Sequence, residues 1–153
     1  MTFTLTSRAF THQAMMPTSY TCDGTDGSPP LAWTEPPKAT KSFTLLVDDP
    51  DAPVGNWVHW ILYNVPAASR TLAEHLPTSD TLADGSRQGL NDFRRIGYGG
   101  PCPPPGPAHR YVFTVYALDT AIDLPPKASQ PQLERAMQGH ILARAELVGL
   151  YQR

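Results

Sequence analysis

The chain has 153 residues, of which 41% are hydrophobic and 17% charged, and its formal charge is -2. This is globular composition, long enough for one domain to bury roughly 70% of the surface its unfolded form exposes, so a core needs neither disulfide nor metal. The absence of a long basic run excludes the electrostatic footprint of a nucleic-acid binder, and the 17 prolines must sit in ordered loops. No window approaches the roughly 18 apolar residues of a membrane span, and no basic segment leads into an apolar run at the N-terminus. The sequence therefore predicts no transmembrane segment, no secretory leader and a cytoplasmic location. In such a reducing compartment Cys22 and Cys102 read as small, buried free thiols. A bridge between them is open but does not follow from the sequence.

In chain order, Phe3, Leu5 and Phe10 fall among threonines and serines, which suits an outer strand. Residues 22–37, "CDGTDGSPPLAWTEPP", combine Asp-Gly turns with Pro-Pro pairs around Leu31 to Trp33, a loop with a brief strand. "SFTLLVDD", residues 42–49, is apolar on both faces and predicts a central strand. "NWVHWILYNV", residues 56–65, predicts the next one, and the two-residue period places Trp57, His59, Ile61, Tyr63 and Val65 on one face with Val58, Trp60 and Leu62 on the other. Residues 72–93 predict a turn or short helix and then a short strand. "GYGGPCPPPGP", residues 97–107, can form neither helix nor interior strand and is a loop.

"HRYVFTVYALD", residues 109–119, is the strongest strand, with His109, Tyr111, Phe113 and Val115 on one face and Arg110, Val112, Thr114 and Tyr116 on the other. Residues 129–153 predict a C-terminal helix. Ser129 with Gln132 makes a capping box, Pro131 lies in the first turn, and Leu133, Met137, Ile141, Ala145 and Val148 recur every three or four residues. Many strands followed by one helix describe a single mostly-β domain over 1–153, with helix at its margin.

Asp49, His59, His109 and Tyr111 all fall near strand ends beside the Gly/Pro loop. Each alone has an ordinary reading: a satisfied core histidine, a packed tyrosine, a polar turn at "DPDAP". Together they describe a pocket held by a rigid framework. Imidazoles and a phenol can donate to a phosphate, and a carboxylate can fix a tautomer or meet an ammonium group.

"DDPDAPVGNWVHWILYNVP" and "GYGGPCPPPGPAHRYVFTVYALD" resemble the two signature blocks of the phosphatidylethanolamine-binding proteins. "GSPPLAWTEPP" and "NDFRRIGYGGPCPP" are similar to the bacterial and archaeal Raf-kinase-inhibitor-like, or YbhB/YbcL, branch. The resemblance implies a mostly-β fold of two antiparallel sheets with peripheral helices, and a small pocket for phosphate or phosphorylated headgroups. It implies Asp49, His59, His109 and Tyr111 as ligand-binding residues, Pro53 and the Gly100-Pro101 turn as its rim, and Asp51 as a mainly structural residue holding the corner. It implies no catalytic residue, metal or cofactor. For partners it implies a phosphorylated small molecule and allows a kinase or protease target and a homodimer; no gating role is carried over to Tyr151.

No lysine lies in the matched blocks and Arg110 points away from His109 by strand period, so anion affinity rests on imidazoles and backbone amides. Binding is then expected to weaken above about pH 7. The alternative is a small hydrolase, metal-dependent or acid/base, using the Asp/His/His set. It lacks both a Gly-x-Ser-x-Gly elbow and a glycine-rich phosphate loop ahead of a helix.

Overall fold

The structure, a computed structural model, describes residues 2–153. Its strands are β1 (Leu5–Thr6), β2 (Ala14–Met15), β3 (Leu31–Trp33), β4 (Ser42–Asp49), β5 (Trp57–Pro66), β6 (Thr71–Leu72), β7 (Arg87–Gln88), β8 (His109–Leu118) and β9 (Ile141–Tyr151), with helix α1 (Gln130–Met137) before the last. They form a three-stranded sheet, β1-β3-β6, and a six-stranded sheet, β2-β9-β8-β4-β5-β7. All pairings are antiparallel except β2 on β9. The fold is mostly β, in two sheets, as the residue pattern predicts.

β4 is apolar on both faces because both are covered. Phe43, Leu45 and Val47 join Trp60, Leu62, Phe113 and Val115 in one core, closed by Leu5, Leu31, Trp33 and Leu72 of the smaller sheet. Leu46 faces the opposite way, into a second core with Val58, Ile61 and Tyr63, which Leu133 and Met137 of α1 cover. Burying one such side chain stabilises the fold by roughly 1.5–3 kcal/mol relative to exposure.

The C-terminal helix is shorter than its periodicity predicts. The start holds: Ser129 and Gln132 form both halves of the capping box. The helix ends at Met137, Gly139 adopts a positive φ of 82°, and residues 141–151 run as a strand paired with β8 from Leu118↔Ile141 to His109↔Tyr151. Ala145, Leu147, Gly149 and Tyr151 are buried while Arg144 and Glu146 are exposed, a period of two that coexists in the sequence with the helical one. Pairing along all of β8 overrides the helix propensity of Ala, Arg, Glu and Leu.

A second departure lies in β5. Val58 pairs with Asp48 and Trp60 with Val47, so His59 is an extra residue with no partner on β4; between Leu62 and Val65 a further residue is inserted, with Asn64 at a φ of 59°. These β-bulges break strict alternation. Trp60, Leu62 and Val65 therefore enter the same core as Tyr111, whereas Ile61 and Tyr63, expected on the face of His59, lie in the core under α1. Consecutive residues His59 and Trp60 both turn toward Tyr111's side of the sheet.

Candidate functional site

Asp49 ends β4 and is buried. Its Oδ1 accepts the backbone N–H of Asp51 at 2.8 Å, closing the Pro50–Pro53 corner, and its Oδ2 accepts from Nδ1 of His109 at 2.7 Å. Asp51 binds the adjacent residue of β8. Its Oδ2 accepts from the Arg110 backbone N–H and Nε, both at 2.9 Å, and its Oδ1 from Nη2 at 2.8 Å. The Arg110 guanidinium holds the Asp51 carboxyl down at about 2. Successive carboxylates of the corner thus clamp successive residues of β8, which project to opposite faces of the sheet.

His59 is held differently. Its Nδ1 donates to the Gly99 carbonyl at 2.6 Å, and the Gly99 N–H donates back to the His59 carbonyl at 2.9 Å. Burial pushes the His59 imidazole below its ordinary value, although the Gly99 carbonyl opposes the shift. The ring meets Tyr111 edge-on, with centroids 5.2 Å apart, and Phe93 likewise. Burial, reinforced by the Asp49 charge, pushes the Tyr111 hydroxyl well above the ordinary phenol range, so it stays a neutral donor.

These side chains line a cavity of about 240 Å³. Asp49, His59 and Tyr111 are its buried, polar part. Ala52, Pro53 and Val54 of the corner, Trp57, Phe93, and Cys102, Pro103 and Pro104 of the proline loop complete the lining. The mouth is apolar and open, and Val54 there is 78% exposed. Trp57 precedes His59 by two on one strand, so the strand period could have found it; Phe93 carries no sequence signal.

Asp49, expected in one pocket with both histidines, gives its carboxylate to His109 and to its own turn. Two expectations need correction. Gly100 and Pro101, expected at the rim, do not line the cavity; they sit behind its wall. The Gly100 N–H donates to Asp26 Oδ1 at 2.9 Å, and a Cβ there would come within 2.5 Å of the Tyr20 carbonyl, so only glycine fits. Cys22 and Cys102 are neither free nor buried: they form a disulfide across 80 residues, with Cα atoms 5.4 Å apart and both residues exposed. The Cys22 N–H donates to the Pro101 carbonyl at 3.1 Å, which brings the two loops within bridging range.

Among the described residues, no group of three or more His, Cys, Asp or Glu side chains is arranged to hold a metal. No helix among them is long and apolar enough to cross a membrane.

Two sheets with a carboxylate and two imidazoles at the strand ends, walled by a proline loop, make up a binding-protein type of fold. The sequence pattern of the phosphatidylethanolamine-binding protein family matches residues 6–152, and the chain belongs to that family. A UPF0098 protein of Methanothermobacter thermautotrophicus is 50% identical over 97% of this chain and 98% of its own. Another, from Aquifex aeolicus, is 49% identical over 96% of this chain and 86% of its own. Among solved structures, Escherichia coli YbcL, described as a member of the mammalian family, superposes with a TM-score of 0.92 at 35% identity, covering 99% of this chain and 98% of that one. A Chlamydia trachomatis homologue of the phosphatidylethanolamine-binding proteins gives a TM-score of 0.91 at 41% identity over 99% and 97% of the two chains.

Proposed function

We propose that the protein binds phosphate or a phosphorylated small molecule or headgroup in the Asp49–His59–His109–Tyr111 cavity, without turning it over, and that occupancy regulates a partner protein. The observation that carries this reading is the commitment of Nδ1 on both rings, to the Gly99 carbonyl at 2.6 Å and to the Asp49 carboxylate at 2.7 Å. Nε2 is then the atom each ring offers a ligand. In a neutral ring so oriented it is an acceptor; in a protonated ring it donates.

Anion binding is therefore tied to proton uptake, since the bound charge stabilises the imidazolium and the imidazolium the anion. For His59 the sign is definite. Its folded-state value is depressed by burial, so in the empty protein its neutral form contributes stability above about pH 6.5 that is lost as pH falls. A bound phosphate offsets that loss. The neutral Tyr111 hydroxyl remains a donor throughout.

The hydrolase alternative would need the Asp/His/His set to converge on one metal or water. Asp49 accepts from two protein N–H groups instead, and this weighs against it. The proline loop offers the partner a stiff surface next to the mouth.

The test is an NMR titration of the histidine ring resonances, after chelator treatment, with inorganic phosphate and with phosphoethanolamine at about pH 6 and about pH 8. Shifts confined to His59 and His109, larger at the lower pH, are expected. Equal affinity at the two values would remove the imidazoles as the anion's main partners, and silence of both rings would remove the binding reading itself.

A further inference from the structure

The pocket wall contains a feature that phosphate binding does not use. Cys102 lines the cavity, yet its sulfur is bonded to Cys22 in another loop. We propose that the Cys22–Cys102 bridge is a redox-sensitive latch on this wall: a dithiol reductant opens it, and the opened protein binds phosphate more weakly. The proposal rests on the pocket reading above.

The first reason is how little else holds the wall. Residues 101–107 include five prolines, Pro101, Pro103, Pro104, Pro105 and Pro107, none of which has a backbone N–H to donate. Among the described residues the loop is tied at its edges. At one side Gly100 donates to Asp26 and Pro101 accepts from Cys22; at the other the Gly106 N–H donates to the Arg153 carbonyl at 3.3 Å and Gln152 Nε2 to the Gly106 carbonyl at 2.9 Å. Between these edges, residues 102–105 make no main-chain hydrogen bond among the described residues. Cys102, Pro103 and Pro104, the three wall residues facing the cavity, lie in that untied stretch. Pro103 is buried and held by packing as well, and the disulfide is the covalent tie of the stretch to another loop.

The second reason is that the other half of the bridge is anchored. Asp23, next to Cys22, accepts from the Tyr151 hydroxyl of β9 at 2.6 Å and pairs with Arg153 at 3.4 Å. Breaking the bridge therefore releases the proline wall and leaves the Cys22 loop fixed to the sheet. The buried groups stay in place too, because they belong to β4, β5 and β8. What changes is the enclosure around them.

The third reason is reactivity. Both cysteines are exposed, and Arg153 Nη1 lies 3.5 Å from Cys102 Sγ. A neighbouring guanidinium stabilises a thiolate, which makes Cys102 the better leaving group. One thiolate of the dithiol attacks Cys22 Sγ, the Sγ–Sγ bond breaks, and Cys102 departs as a thiolate. The second thiol of the reductant then displaces Cys22 and leaves as a cyclic disulfide. Two electrons and two protons pass to the cysteine pair, so the exchange balances without any further reactant.

If the released wall is in its closed position for about a tenth of the time, the apparent Kd for phosphate rises about tenfold. The experiment compares the oxidised protein, the same protein reduced with dithiothreitol, and the Cys22→Ser/Cys102→Ser variant. It measures phosphate affinity at about pH 6 and backbone amide exchange at Cys22, Gly99, Gly100 and Gly106, with far-ultraviolet circular dichroism to verify that the sheets persist. Expected are thiols that titrate in the native state, faster exchange at Gly106 and at Cys22, whose N–H the Pro101 carbonyl accepts, and about tenfold weaker phosphate binding in the reduced and serine forms. The latch is overturned if the bridge resists dithiothreitol until the protein is denatured. It is equally overturned if exchange is unchanged on reduction, or if affinity differs by less than about twofold between forms. No phosphate binding in any form, with faster wall exchange on reduction, overturns the ligand reading while supporting a redox-opened wall.

Discussion

The two sides of the cavity are built on opposite principles. On the strand side, Asp49, His59, His109 and Tyr111 stand on β4, β5 and β8, whose ladders and two cores leave their backbones little freedom. On the loop side, Cys102, Pro103 and Pro104 are held by a covalent bond and by hydrogen bonds at the loop's edges. Under the proposed binding role, the strand side would set which atoms meet a ligand and the loop side how well water is excluded. Preorganised polar groups belong on the stiffer side, since small displacements of them are costly to binding. A wall can be allowed to move.

Breaking the strand side from beneath has the largest expected effect. Phe113 is fully buried, and Phe113→Ala should lower the unfolding free energy in urea by about 3–5 kcal/mol. Histidine shifts with phosphate should persist in whatever fraction stays folded. Stability unchanged within error would mean that the sheet does not carry the site.

Asp49→Ala tests the corner between the two sides. It leaves the Asp51 N–H and His109 Nδ1 without their acceptor in a part-buried place, at an expected cost of about 1 kcal/mol. His109 should also lose its fixed tautomer, which its ring nitrogen chemical shifts report. A variant with native ring shifts would show that the carboxylate does not orient the imidazole.

The smallest effect belongs to Asp51→Asn. The pair with Arg110 is largely exposed, so solvent screening makes its contribution at neutral pH the smallest of the three. The Asp51 carboxyl lies lower in the folded protein, at about 2, than its ordinary 3.8. Its contribution is thus complete above about pH 4 and is lost as pH falls through 2. Unfolding curves of the two proteins should converge in acid; a constant difference down to about pH 2 would separate Asp51 from this titration.

Much of the strand side was legible because period and composition act locally. His109 and Tyr111 share a direction by the two-residue repeat, and the rings do stack, with centroids 6.4 Å apart. Asp49 was legible as the acid closing an apolar strand. Its partner was not: a carboxylate flanked in space by two histidines chooses by register, and the bulge at His59 sends that ring to Gly99 instead. The C-terminal segment misled for a related reason. Its apolar residues satisfy both a helical and a strand period, and only the free edge of β8 decides between them.

The amino-acid sequence by itself determined the strand-rich class, the capped start of α1, the proline loop and the four polar residues at strand ends, since each rests on neighbours within a few positions. The tertiary structure alone decided that Asp49 holds His109, that Gly100 must be glycine beneath the wall, and that Cys22 meets Cys102 across 80 residues. Those are contacts between segments far apart in the chain. No local pattern encodes them, because each depends on which sheet edge and which register the whole chain adopts.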